Sequence, residues 1–278
     1  MREDVKKLYR TSYQLRQKAL EMVYNARTGH CAPCLSMAEI ITVLYFDELN
    51  LRPEDPQWAD RDRMVLSKGH ASPLYYAALA KRGFFPEEEL SEYRQLNSKL
   101  QGHPDMRKCP GVDMTSGSLG NGVSAALGMA LIGKKDKKDY YVYAVSGDGE
   151  LQEGIVWEAA IYAGNAKLDN LIMLVDYNRL QSGGSVEEIQ NLDDLEKKFE
   201  AFGWDTQSID GHDIEAIQQA IATAKARKGT PSVILCNTIK GKGISYMEGE
   251  YLWHMKAPND AEFAQGMKEL SEEVKRYE

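Results

Sequence analysis

A doubly wound parallel α/β sheet flanked by helices is the fold class this sequence predicts, and three observations predict it. Short runs rich in β-branched and apolar residues, Tyr140 to Val145, Leu171 to Val175 and Ser232 to Asn237, alternate with segments whose apolar residues recur at helical spacing. The segment joining the first two runs, Gly154 to Lys167, is itself of helical period, and a strand–helix–strand crossover makes its two strands parallel neighbours. Polar, glycine-containing stretches follow the strand ends, which is the edge where an open parallel sheet binds ligands.

Composition narrows the classes. With 278 residues, 43% hydrophobic and 27% charged, the chain can bury a sizeable core in one large domain or two small ones, and strands alternating with helices throughout indicate a single domain over 1–278. A net charge of -8 and a pI near 5.3 speak against nucleic acid or an anionic membrane as partner. The charged amino terminus, Met1 to Arg10, reads as no secretory signal, and no apolar run is long enough to span a bilayer. Four cysteines at this length suggest a reducing, cytoplasmic setting.

Taken in order, residues 5–27 carry apolar and tyrosine side chains at three and four spacing, an amphipathic helix that stops at Gly29. In G-H-C-A-P-C-L-S-M-A-E-I, Ser36 and Glu39 have the spacing of a capping box for a helix from Met37 to Asp47, which leaves His30 in a turn. A loop histidine is usually only solvated. Cys31 and Cys34 form C-x-x-C, a redox pair or half of a zinc site in principle, but no second pair completes a metal set and packing is the better reading. A short strand, Arg63 to Leu66, is followed by a helix with Ser72 as N-cap, Pro73 in its first turn and Gly83 past its end, so His70 lies on the ligand edge. Glu87, Glu88 and Glu89 suit the first turn of a helix opening at Pro86.

The irregular stretch from Ser98 to Gly122 is long enough to be functional or a mobile loop. Small residues line the helix Asn121 to Ile132, and Lys134 to Lys138 reads as a solvated basic turn. Beyond the second strand come a helix from about Leu192 to Phe202, a strand from Trp204 to Ile209, and a helix starting at Asp213, with His212 as a turn and cap residue. T-I-K-G-K-G after the last strand could cradle phosphate, and residues 260–278 form a charged amphipathic helix.

The chemistry concentrates in S-G-D-G-E-L-Q-E-G. Asp148 follows one strand and Asn178 follows the next, so both lie at the same sheet edge. A carboxylate, an amide oxygen and a main-chain carbonyl suit a hard cation such as Mg2+ or Ca2+ and leave positions for phosphate oxygens. Gly147 and Gly149 permit close backbone approach, and the helix beginning near Glu153 points N–H groups at the same anion. G-D-G alone is a common turn. Pairing it with an asparagine after the next strand is far more specific.

G-D-G-E-L-Q-E-G with that asparagine resembles the thiamine diphosphate motif of transketolases. G-H-C-A-P, S-K-G-H-A, Q-G-H-P-D, G-S-L-G-N-G and T-I-K-G-K-G with its downstream Trp253-His254 are similar to other motifs of that family, in family order across the chain. The resemblance implies the thiamine diphosphate-binding fold (the PP domain), with thiamine diphosphate and Mg2+ (or Ca2+) as cofactors. It implies metal ligation by Asp148, Asn178 and the Leu180 carbonyl, and cofactor contacts from His70, Gly117, Leu119, Gly147, Asp148, Gly149, Glu150, Asn178 and His254. His30, His103 and His254 fall at the catalytic positions and Glu153 at the subunit interface. Cys31 stands where the family usually has Pro, and Met255 where it has Gly.

The family's pyrimidine-binding and carboxyl-terminal domains have no counterpart here and are expected on a separate chain. The implied protein is thus the amino-terminal subunit of a two-chain transketolase, a heterotetramer by analogy. It would pass a two-carbon ketol unit from a ketose phosphate to an aldose phosphate, and only with its partner. The alternatives are action on a modified or sulfonated ketose phosphate and a non-catalytic subunit that kept the fold. A third, the alpha subunit of a 2-oxo acid dehydrogenase, fits G-H-C-A-P and Q-G-H-P-D less well.

Overall fold

The computed structural model describes residues 1–278. Five parallel strands form one sheet in the order β1-β2-β3-β7-β6: β1 (Arg63–Leu66), β2 (Val142–Gly147), β3 (Leu171–Tyr177), β6 (Asp205–Asp210) and β7 (Ser232–Asn237). The two-residue strands β4 (Leu180–Gln181) and β5 (Gly184–Ser185) make a separate small hairpin. Along β2 and β3, alternate residues enter opposite cores, as the pleat requires. Tyr143, Val145, Ile172 and Leu174 join a cluster of 52 buried residues with helices α1 (Glu3–Ala26), α3 (Ala38–Val43), α4 (Ser72–Arg82) and α9 (Ile214–Ala226). Val142, Ala144, Leu171, Met173 and Val175 join a cluster of 22 with α5 (Asn121–Lys135), α6 (Gly154–Asn165) and α8 (Leu195–Ala201). Helices on both faces confirm the doubly wound α/β class. No helix is long and apolar enough to cross a membrane.

Several local expectations are corrected. Ser36 caps nothing: its hydroxyl donates 2.6 Å to Asp176 Oδ2, and Met37 precedes α3 without a side-chain cap. Glu39 instead takes the Arg16 guanidinium in a bidentate pair at 2.6 Å on both oxygens, almost without exposure. The helix there ends at Val43 and closes in one π-turn, Leu44–Glu48. Ser72 donates to the Gly102 carbonyl at 2.9 Å, so it ties down the long loop rather than capping α4. Glu87–Glu92 is a 3-10 turn. The helix expected over 192–202 is α8, capped by Asp194, and a further short helix, α7 (Val186–Gln190), capped by Ser185, precedes it. Asp213, not His212, caps α9. His212 accepts from Ile239 N at 2.9 Å through Nε2, which leaves Nδ1 as the donor to Glu39 Oε2 at 2.9 Å. Lys134 and Lys138 are not merely solvated but pair with Asp169 at 2.8 Å and Asp60 at 2.6 Å.

One glycine sets how closely α6 meets the end of α8. A Cβ on Gly164 would lie 1.7 Å from the Phe202 carbonyl oxygen, a backbone atom with no rotamer to change. Gly164→Ala is expected to cost about 3 kcal/mol, at the upper end of overpacking effects. Urea unfolding checks this, and an unchanged midpoint would show that the two backbones separate freely.

Candidate functional site

A cleft of about 330 Å³ opens at the carboxyl ends of the strands. Each strand end contributes through the loop it releases. β1 leads into the turn Gly69–Ala71 that carries His70; β2 ends on Gly147 and Asp148; β3 leads to Asn178 and Leu180; β7 leads to Lys240. His30 arrives from the turn after α1, and His254 follows the 3-10 turn Tyr251–Trp253. All of these line the cleft, together with Gly117, Leu119, Gly149, Glu150 and Glu153. His103 is exposed and not among the lining residues, its ring 6.4 Å from that of His30 and 3.6 Å from where a Cβ on Gly117 would sit.

The structure brings together the histidines that the sequence scatters over more than two hundred positions. Ring centroids of His30 lie 5.1 Å from His70 and 5.4 Å from His254, and His70 lies 5.2 Å from His254. Burial, reinforced by neighbouring cations, disfavours their charged forms. It lowers His30 to about 4 and His254 to about 3, and pushes His70 well below its ordinary value. His103 is lowered by burial and by Arg94. Near neutral pH the cluster is therefore uncharged.

This has a measurable consequence. Free histidine in the unfolded chain has a pKa near 6.5, so on acidification the unfolded state takes up the proton before His30 in the folded state does. The stability from neutral His30 is complete above about pH 6.5 and is lost downward toward about pH 4. The stability difference between wild type and His30→Asn, read by urea unfolding, is expected to shift by about 2 kcal/mol against wild type from pH 7 to pH 5. A difference that does not vary with pH would refute a buried neutral His30.

Asp148 is 2% exposed. Its Oδ1 accepts from Gly149 N at 2.8 Å and its other oxygen from Arg179 N. Burial, and then the charge of Asp176, raise its carboxyl to about 7. Asn178 donates through Nδ2 to Asp176 Oδ2 at 3.2 Å, so its Oδ1 is left as the acceptor, here of Leu180 N at 3.1 Å. A carboxylate strained toward neutrality by burial, beside an amide oxygen and a carbonyl, is a donor set that a hard divalent cation relieves. The residues therefore fit a metal. No group of three His, Cys, Asp or Glu side chains in metal-binding arrangement occurs in the chain, so this set rests on one carboxylate with an amide and a main-chain oxygen.

Glu150 lines the cleft and also ties its walls together. Its carboxylate accepts from Ser67 Oγ, from Gly120 N at 2.6 Å and from Gly147 N at 3.1 Å. It thereby latches the β1 end, the start of α5 and the G-D-G turn together. Glu153, exposed at the cleft wall, precedes α6 without capping it. Cys31 and Cys34 are buried free thiols. Cys34 Sγ donates 2.9 Å to the His30 carbonyl, and burial pushes its thiol up to about 12, which suits packing behind His30 rather than nucleophilic chemistry.

Sequence reasoning missed three charged residues. Lys68 and Asp176 form a buried ion pair that also takes in the Pro33 carbonyl at 3.0 Å, the Ser36 hydroxyl, Asn178 and the Thr238 hydroxyl. Lys240, 1% exposed, lies inside the T-I-K-G-K-G loop and donates 2.9 Å to His254 Nδ1. The signal for Lys240 was present, since a lysine followed by a glycine shortly after a strand end suggests an anion. For Lys68 the only hint was its place beside His70 in S-K-G-H-A.

Comparison with known proteins adds a family to this geometry. A family model described as "Transketolase, thiamine diphosphate binding domain" matches residues 9–276. The chain is 45% identical to the 6-deoxy-6-sulfo-D-fructose transketolase subunit SqwG of Clostridium sp. (strain MSTE9), over 93% of this chain and 94% of that one. It is 38% identical to an apulose-4-phosphate transketolase subunit of Phocaeicola vulgatus, over 95% and 93% of the two chains. Mouse transketolase is 43% identical over 88% of this chain but only 39% of its own length. Among solved structures, Campylobacter jejuni transketolase superposes with a TM-score of 0.89 at 33% identity, over 98% of this chain and 46% of that one. The chain thus spans nearly all of the two subunits and less than half of the longer transketolases.

Proposed function

Because the chain belongs to the transketolase family, as its thiamine diphosphate-binding domain, we propose that it is the diphosphate-anchoring, amino-terminal subunit of a two-chain transketolase. The convergence of Asp148, Asn178, the Leu180 carbonyl and neutral histidines on one cleft carries this reading. Residues 1–278 act as one domain, and a second chain supplies the pyrimidine-binding part, in a heterotetramer. The naming of similar full-length chains as transketolase subunits supports that division.

When bound, thiamine diphosphate supplies a nucleophilic carbon that can carry a two-carbon ketol unit between sugars. Asp148, Asn178 and the Leu180 carbonyl would hold Mg2+ (or Ca2+), and Lys240 would add positive charge to the same cleft. Gly147 and Gly149 would let the backbone approach, while His70, Gly117 and Leu119, which line the cleft, would wall the rest of the cofactor. Glu150 keeps these walls in register. His30, His103 and His254, being neutral near pH 7, can accept a proton from a sugar hydroxyl and return it. A ketose phosphate is the donor and an aldose phosphate the acceptor, in the cytoplasm. The 45% identity to a sulfofructose transketolase subunit favours a second reading, in which the donor is a sulfonated ketose.

Native mass spectrometry of the protein from its own source, with thiamine diphosphate and Mg2+, followed by transfer assays, tests both readings. We expect a complex with a second chain that transfers ketol units, and no transfer by this chain alone. Comparing fructose 6-phosphate with 6-deoxy-6-sulfofructose as donors separates the readings. Turnover by the isolated chain would overturn the split, and a complex without bound cofactor would make the chain a non-catalytic subunit.

A further inference from the structure

Lys240 is a buried ammonium without a carboxylate in contact. Its Nζ donates to three neutral acceptors: the Leu180 carbonyl at 3.1 Å, the Gln181 carbonyl at 3.4 Å and His254 Nδ1 at 2.9 Å. Lys68, the other buried lysine of the cleft, is by contrast neutralised by Asp176. A buried charge in contact with dipoles alone, with Asp148 and Asp176 acting only at a distance, is poorly compensated and gains by moving to an anion. The carbonyl that anchors it is also the one assigned to the metal. That oxygen has a second lone pair, yet two cations sharing it would stand about 5 Å apart and repel strongly in a buried site.

We propose that Lys240 is a placeholder cation: it occupies the metal's carbonyl until metal and diphosphate arrive together, then transfers to the diphosphate and releases His254. This rests on the reading of the cleft as a metal–diphosphate site. Metal alone must displace the ammonium while drawing on Asp148, one of the two carboxylates whose field it feels, so it binds weakly. With the diphosphate present, the displaced ammonium has an anion to join. Lys240 also determines where the His254 proton sits. While Nδ1 accepts from the ammonium, the proton of the neutral ring is on Nε2. Loading the cleft removes that donor, so filling the anchor site changes the hydrogen bonding of a histidine assigned to proton transfer. Lys240 acts on the reaction through His254 and is a positioning residue.

Mn2+ binding to the full chain, followed by the electron paramagnetic resonance of free Mn2+, tests the competition without any turnover. Without thiamine diphosphate, Lys240→Met is expected to bind Mn2+ at least tenfold more tightly than wild type. With thiamine diphosphate the order is expected to reverse. Equal affinities without the cofactor, in a variant whose circular dichroism matches wild type, would overturn the placeholder. Should the variant not fold, nitrogen-15 imidazole spectra of the wild-type protein decide. The His254 Nδ1 resonance should shift when thiamine diphosphate and Mg2+ are added together, and a resonance unmoved at saturation would overturn the proposal. Failure of wild type to bind Mn2+ even with thiamine diphosphate and its partner chain is a separate outcome, which removes the metal–diphosphate reading and the placeholder with it.

Discussion

Asp148→Ala is expected to weaken Mg2+-dependent binding of thiamine diphosphate by a hundredfold or more and to abolish ketol transfer by the assembled enzyme. Asp148 is the one carboxylate in the proposed ligand set, the other two oxygens being an amide and a carbonyl, so it supplies all of the formal charge that holds the cation. The substitution also frees the Gly149 and Arg179 amides that its oxygens now accept from. Asp148→Asn separates the two effects, since an amide oxygen can still accept from one of these groups but carries no charge. Calorimetric titration of the cofactor in the presence of Mg2+ reads the result. An Asn variant as stable as wild type yet equally defective in cofactor binding assigns the loss to charge. Binding by the Ala variant at wild-type affinity would remove Asp148 from the metal site.

Lys68→Met is expected to lower the folding free energy by about 3–5 kcal/mol, the usual result of removing one partner of a buried ion pair. The loss is mostly the cost of leaving Asp176 ionised without a counter-charge, because its carboxylate is fully buried and the lysine is its only cation. Ser36, Thr238 and Asn178 continue to donate to it. The double variant Lys68→Met with Asp176→Leu should recover part of that loss, and the mutant cycle isolates the coupling. Urea unfolding of the three variants makes the comparison. A single-variant loss below about 1 kcal/mol would mean that solvent reaches the pair.

The fold was legible wherever apolar residues keep a period over a whole element. β7 was read to the residue, and β2 and β3 to within two, because uninterrupted apolar runs identify strands buried on both faces. The cofactor motifs were legible because they join a turn residue to a strand end at fixed spacing. The buried charges were not. Arg16, Glu39, Lys68, Asp176 and Lys240 look in sequence like residues of a solvated face, and only tertiary partners far along the chain identify them as interior. Ser36 and Glu39 show how this misleads: their spacing has the form of a helix cap, but Asp176 takes one side chain and Arg16 the other. Where a buried group lacks a partner, a long-range hydrogen bond outweighs a local cap. For the same reason His212 was assigned to a turn, although it bridges Glu39 and the chain just after β7.

The hub on Asp176 also sets the order in which the protein can mature on the ribosome. Its partners come from Ser36, Lys68, Asn178 and Thr238, so the last of them is synthesised 62 residues after the carboxylate itself. A nascent chain that has extruded β3 but not β7 has the lysine and lacks the closing hydroxyl. Contacts of such long sequence separation are slow to form, because loop closure must precede them. The ligand edge therefore consolidates only once β7 has emerged, and the early sheet, with β3 still an edge strand, is exposed to mispairing before β7 docks.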